Sequence, residues 1–372
     1  MNYGPKEDMK KKIEILIVDD SRIFRSALEK SLENENDIKV IGSVFNGSKA
    51  IEFIKNRRPD IVTLDLEMPG LDGIETLKAI QRINASSPGI RPIGVIMLSI
   101  LTEDGADVTI KALEAGAFDF IPKPFAKGKG TDNGLRYIRR QLPGKIRQYA
   151  DRETFPIARR SPSLTRRTSL CSRPSSILIG ASTGGPNALS KILPAMCEHA
   201  DVPIFIVQHM PEKFTASMAK SLDSKCRHTV KEAENLELVR PECVYIAPGG
   251  KHMLLRHLDQ GISLVITKSP PEEGCRPSVN VLFRSAATVY GGDTIAIVLT
   301  GMGTDGTKGI EALKRAGASV IAQDEATSTV WGMPRSAVNS GYVDKVAPLP
   351  GIPGAVMSCF RKGIKSRGII SE

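Results

Sequence analysis

The sequence predicts an α/β protein with two domains in one chain, and three observations carry that prediction. Short aliphatic or β-branched runs alternate with helical stretches up to about residue 150 and again after residue 175. Some of these runs, such as Ile-Ala-Ile-Val-Leu at 295–299, are apolar on both faces, as a strand inside a parallel sheet must be. Between the halves lies a segment, 151–174, whose Arg, Ser and Pro content suits a linker and not a packed element.

In chain order, the first half offers strands at 13–18, 38–44, 61–64, 93–98 and 118–121. Helices follow them near 21–34, 47–57, 73–83, 105–115 and 132–149. Parallel strands need crossover connections, so five βα units imply one five-stranded parallel sheet with helices on both faces. The second half resumes with strands at 176–179 and 204–207, a hairpin made from 243–247 and 264–267, and strands at 294–300, 319–322 and 342–346. Helices are predicted near 186–198, 211–225, 278–290, 306–316 and 332–340. This half is a second, doubly wound α/β domain. The expected division is a first domain at 1–128, a helix and basic linker at 129–174, a second domain at 175–360 and a basic tail at 361–372.

A chain of 372 residues exceeds one ordinary core, and 41% apolar with 25% charged residues excludes a disordered or fibrous protein. No apolar run approaches the roughly 18 to 20 residues of a membrane span, and the start, MNYGPKEDMKKK, has no signal-peptide core. The expectation is a cytoplasmic protein without membrane insertion. The net charge of +10 raises the question of nucleic acid, but six arginines against the single acid Glu153 fall between Arg152 and Arg173. The excess belongs to the linker, so no nucleic-acid partner is expected. Six cysteines without a CxxC pair indicate neither a zinc site nor a disulfide framework, and free thiols are expected.

Ligands of an open parallel sheet bind beyond the carboxyl ends of its strands. In the first half those ends carry Asp19 and Asp20, Asp65, Ser99, and Lys123 followed by Pro124. Three carboxylates at neighbouring strand ends repel one another unless a hard cation such as Mg²⁺ sits among them. That cation, a lysine and a hydroxyl are what a phosphoryl group on Asp65 requires. With the phrase DLEMPGLDG at 65–73, residues 12–125 resemble the receiver domain of two-component response regulators. The resemblance implies a flavodoxin-like sheet, with Asp65 as phosphoacceptor. It also implies Asp19, Asp20 and the Glu67 carbonyl as further Mg²⁺ ligands, and Ser99 and Lys123 as the phosphorylation switch. Ile100 departs from the usual small residue after the switch hydroxyl, and the stretch 86–92 is long for this fold.

In the second half the strand at 176–179 runs into Gly180-Ala-Ser-Thr-Gly184 and then a helix. Such a G-x-S-x-G turn lifts a serine hydroxyl out at the sheet end, with the next backbone N–H facing an oxyanion. Ser182 is the candidate nucleophile; a phosphate-binding helix N-terminus is the alternative. Of the five histidines only His209 directly follows a buried-type strand, and Asp305 follows another in a glycine-rich loop, TGMGTDG at 300–306. Ser182, His209 and Asp305 form the predicted triad: nucleophile, base and orienting acid. The backbone N–H groups of Thr183 and Met302 form the predicted oxyanion hole.

The motifs GASTGGP (180–186), QHMP (208–211), YIAPGGKHM (245–253), RPSVNVLFRSAA (276–287), TGMGTDG (300–306) and the QDEATSTVWGMP stretch (323–334) make residues 175–350 similar to the catalytic domain of the CheB family of protein-glutamate methylesterases. Asn280 stands where that family usually has Asp. The resemblance implies hydrolysis of glutamate γ-methyl esters on methyl-accepting chemoreceptors, with glutamine deamidation at such sites and no cofactor for the esterase step. It implies a chemotaxis histidine kinase as phosphodonor and an unphosphorylated receiver that inhibits. The 24-residue linker, if flexible, spans about 25 to 30 Å. A receiver-regulated esterase or amidase with another substrate is the alternative reading. A DNA-binding regulator lacks its helix-turn-helix, and a merely binding module would not retain all three triad residues.

Overall fold

The computed structural model describes residues 12–100, 102–123, 131–150 and 173–367. Pro124, Cys171, linker residues 151–172 and tail residues 368–372 lie outside the described residues.

The first sheet is built from β1 (Ile13–Val18), β2 (Ile38–Val44), β3 (Ile61–Asp65), β4 (Gly94–Ser99) and β5 (Asp119–Pro122). Between and after them run α1 (Arg22–Leu32), α2 (Gly47–Asn56), α3 (Gly73–Ala85), α4 (Glu103–Glu114) and α5 (Thr131–Ala150). The strand order is β2-β1-β3-β4-β5, and every pairing is parallel. The centre of the sheet is aliphatic on both faces: Ile15, Leu16, Ile17, Ile96 and Leu98 are fully buried. Local chemistry sets the helix starts. Ser21 caps α1 by accepting the Phe24 N–H at 3.3 Å, and Asp72 with Glu75 forms a capping box at the start of α3. The order reverses between β1 and β3, which opens a crevice at their carboxyl ends.

The second sheet is formed by β6 (Ser176–Ala181), β7 (Ile204–Gln208), β8 (Thr229–Glu232), β9 (Cys243–Ile246), β12 (Thr294–Val298), β13 (Ser319–Gln323) and β14 (Lys345–Ala347). A separate antiparallel pair consists of β10 (His252–Leu258) and β11 (Gly261–Thr267). The helices are α6 (Gly185–Cys197), α7 (Phe214–Asp223), α8 (Val279–Val289), α9 (Thr307–Arg315), α10 (Gly332–Asn339) and α11 (Ile352–Arg367). The seven strands run β14-β13-β12-β6-β7-β9-β8, all parallel. Because the chain starts in the middle and winds both ways, right-handed crossovers put helices on both faces. The switch point falls between β6 and β12. Phe205 and Tyr245, both fully buried, stack at 5.6 Å beside Leu178 and Val298 in the core.

The predicted hairpin is corrected by the structure. Residues 243–246 belong to the main parallel sheet, and the partner of Gly261–Thr267 is His252–Leu258. In the latter strand Arg256, His257 and Leu258 are exposed, so its apolar signal is short. The short β8, Thr-Val-Lys-Glu, was not predicted, and α11 carries the backbone of the basic segment on to Arg367.

Candidate functional site

Two clusters form where the sheets reverse order. In the first unit Asp19 follows β1, Asp65 ends β3, Ser99 ends β4 and Lys123 follows β5. The Lys123 Nζ lies 2.8 Å from Asp19 Oδ2 and 2.7 Å from Asp65 Oδ2. Its backbone N–H donates to the Ser99 carbonyl at 2.6 Å, which fixes the base of the lysine. Asp19 Oδ1 accepts the Ser21 N–H at 2.9 Å, and Arg25 donates to the carbonyls of Asp19 and Asp20. The carboxylate oxygens of Asp19, Asp20 and Asp65 all lie within 4.8 Å of one another.

Burial pushes Asp65 up to about 6 against the pull of Lys123, and the Asp19 charge adds to the push. Burial likewise raises Asp19. Three carboxylates around one ammonium leave negative charge uncompensated, and every donor is a hard oxygen. The residues therefore fit Mg²⁺, not a soft metal. Ser99 is fully buried beside them, and Glu67 is exposed, with its backbone N–H directed at the Asp65 carboxylate.

In the second unit Ser182 directly follows β6. Gly184 holds φ 79°, a left-handed conformation that turns the chain from strand into α6. The Ser182 N–H donates to the Thr300 carbonyl at 3.0 Å, which ties the turn carrying Ser182 to the loop after β12. That loop passes so close that a Cβ on Gly301 would lie 2.6 Å from the Ser182 Cβ. His209 follows β7, and its N–H donates to the Ala181 carbonyl at 3.1 Å, so the parallel ladder puts it beside Ser182. Its Nε2 is 2.8 Å from Asp305 Oδ2, and its Nδ1 is 3.7 Å from Cys275 Sγ. Among the described residues no hydrogen bond joins the Ser182 hydroxyl to the ring, whose two nitrogens face Asp305 and Cys275.

Asp305 is 2% exposed and densely solvated by protein. Its Oδ1 accepts the Ser278 hydroxyl at 2.8 Å and the N–H groups of Asn280 and Gly306 at 3.0 Å. Its Oδ2 accepts the Val279 N–H at 2.7 Å as well as His209. Ser278, Val279 and Asn280 form the first turn of α8, so the carboxylate sits on a helix N-terminus. Burial alone would raise Asp305, but the His209 bond and these N–H donors hold it below the usual carboxylate range. Burial opposes charge on His209 too, yet the bond to Asp305, joined by Cys275, brings it up to about 9.

Thr183 adjoins Ser182, and its carbonyl accepts the Thr300 hydroxyl at 2.9 Å; Met302 adjoins Gly301 and is half-exposed. Asn280 Oδ1 accepts the N–H groups of Gly306 at 3.0 Å and Gly309 at 2.8 Å. A carboxylate would accept the same two donors, whereas the amide Nδ2 is buried without a hydrogen-bond partner among the described residues. The sequence reading brought together both clusters but missed the supports. Gln208 Nε2 donates to the Ser182 carbonyl at 2.8 Å, and Gln323 Oε1 accepts the Thr300 N–H at 2.8 Å. Ser278 and Cys275 were also missed. The only available signal was that these residues lie in or beside the quoted motifs.

The profile of the CheB methylesterase family matches residues 177–356, and that of the response regulator receiver domain matches residues 15–133. A protein-glutamate methylesterase/protein-glutamine glutaminase of Desulfotalea psychrophila is 43% identical over 91% of this chain and 96% of its own length. One of the same description from Pyrococcus horikoshii is 40% identical over 94% of each chain. The crystal structure of the Thermotoga maritima CheB methylesterase catalytic domain aligns with 50% of this chain and 98% of its own, at 44% identity and a TM-score of 0.49. With a receiver domain ahead of a methylesterase domain, and relatives at this identity over nearly its whole length, the chain belongs to the CheB methylesterase family.

Proposed function

We propose that this protein is a serine hydrolase that demethylates glutamate γ-methyl esters on chemoreceptors, deamidates glutamine at such sites, and is activated by phosphorylation of Asp65. The observation that carries the reading is the 2.8 Å contact between His209 Nε2 and Asp305, set on the strand end beside Ser182. With Nε2–H given to Asp305, the lone pair of Nδ1 is left to take the Ser182 proton. The serine oxygen then attacks the γ-carbonyl, and the N–H groups of Thr183 and Met302 receive the oxyanion. The imidazolium returns its proton to the leaving methoxide or amine, releasing methanol or ammonia. Water, deprotonated by the same ring, cleaves the acyl-serine to glutamate.

In the receiver, Asp65 takes the phosphoryl group from a histidine kinase. Asp19, Asp20, Asp65 and the Glu67 carbonyl would hold Mg²⁺, which supplies neutralisation of the incoming anion. Lys123, 2.7 Å from Asp65, stays to bind the product phosphate, and Ser99 supplies the switch hydroxyl. No described helix is long and apolar enough to cross a membrane, and we place the reaction in the cytoplasm.

Release of methanol from methyl-labelled receptor membranes tests the reading. A small phosphodonor with Mg²⁺ should speed the whole chain, and residues 175–372 alone should exceed the unphosphorylated whole. No release from any form would refute the esterase assignment.

A further inference from the structure

We propose that Cys275 Sγ and His209 Nδ1 together bind a soft divalent cation of the zinc class, which switches the hydrolase off by occupying the nitrogen that must accept the serine proton. The regulatory consequence rests on the reading above; the binding site does not. Thiolate and imidazole are the donor pair that zinc prefers. Their separation in the structure is 3.7 Å. A tetrahedral zinc, with bonds of about 2.3 Å to sulfur and about 2.0 to 2.1 Å to nitrogen, holds such a pair about 3.6 Å apart.

The thiol is held in place. Cys275 and Glu272 exchange backbone hydrogen bonds at 2.9 and 3.1 Å. The turn between them is gripped from two sides: Glu272 accepts from Arg284 of α8 at 2.8 Å, and Glu273 accepts from Thr304 at 2.7 Å and pairs with Lys308 of α9 at 2.9 Å. The histidine is equally prepared, since a carboxylate on the far ring nitrogen is the usual outer support of a zinc-binding imidazole. Asp305 fills that role, not a ligand's, because both its oxygens are already committed to donors. Cys275 and His209 are each only partly buried, so water can complete the coordination. On binding, the thiol proton goes to solvent. Two protein ligands make the block reversible. The Asp19, Asp20 and Asp65 cluster offers only oxygen and does not compete for a soft ion.

The test uses the whole, metal-free protein titrated with Co²⁺ as a spectroscopic substitute. A thiolate-to-cobalt charge-transfer band is expected, bleached by Zn²⁺ and lost in both Cys275→Ala and Cys275→Ser, with thermal melts showing that the variants are folded. In methanol release without phosphodonor, each variant scored against its own metal-free rate, half-inhibition should need at least about tenfold more Zn²⁺ than in the parent. A band that persists in the folded variants, a folded parent without a thiolate band, or equal Zn²⁺ sensitivity of parent and variants would overturn the proposal. A parent that binds Co²⁺ through the thiol but releases no methanol would instead refute the esterase reading.

Discussion

Ser278 donates its hydroxyl to Asp305 at 2.8 Å, on the carboxylate oxygen that His209 does not use. This charge-assisted bond is worth about 1.5 to 3 kcal/mol to the anion. Ser278→Ala leaves the backbone donors of Val279 and Asn280 in place, so the fold should persist. Methanol release should fall by roughly ten- to a hundredfold, which steady-state kinetics alongside a thermal melt will measure.

Asp305→Asn should cost more. An amide in this site presents a donor or a neutral acceptor to Nε2, the ring loses its fixed tautomer, and triads lose on the order of 10⁴ in turnover from this change. Ser182→Ala should remove turnover altogether, since nothing else at the strand end can form the acyl intermediate. Both variants should melt close to the parent; turnover at the parental rate in either would displace the triad.

The pH dependence follows from His209. In the mechanism proposed above its base form is the active one, and its pKa is brought from 6.5 up to about 9. Activity should therefore climb with pH through about 9 instead of levelling near 6.5. Linkage has the matching sign: the extra stability from the imidazolium is complete below pH 6.5 and is lost as pH rises through about 9. NMR titration of the ring checks this, and Asp305→Asn should move the midpoint back down.

Linkage at Asp65 has the same sign, although here it is the neutral form that burial favours. Its folded value of about 6 lies above the ordinary 3.8, so the metal-free receiver loses stability as pH rises through that window. Mg²⁺ offsets the charge once the carboxylates ionise. Its gain in melting temperature should be large above about pH 7 and small near pH 5. Asp65→Asn should raise the metal-free melting temperature, abolish most of the Mg²⁺ gain, and block phosphoryl uptake; a variant that still takes up phosphate would move the acceptor elsewhere.

How much of this was legible in the sequence depends on whether a contact is local or remote. Ser182, His209, Asp305, Asp19 and Asp65 each follow or end an aliphatic run, and the geometry of parallel sheets then dictates that the first three gather at one edge of the second sheet and the last two at one edge of the first. The Cys243–Ile246 strand was paired wrongly because a short apolar run carries no label for its partner, whereas β10 hid behind its exposed Arg256 and His257. Cys275 and Ser278 reach the site from the chain preceding α8, a placement decided by how that helix packs and invisible in residue spacing.

The seam between β6 and β12 has a bearing on how such an enzyme can change over time. Ser182 and Asp305 hang from neighbouring strands whose pairing runs unbroken from Ser176 with Thr294 to Gly180 with Val298. Losing or gaining one residue in either strand would slide its loop by about 3.3 Å and turn each side chain to the other face. Deletions and insertions within these two strands should therefore be absent from functional descendants, while the exposed turn that joins β10 to β11, outside that ladder, is free to lengthen, shorten and diversify.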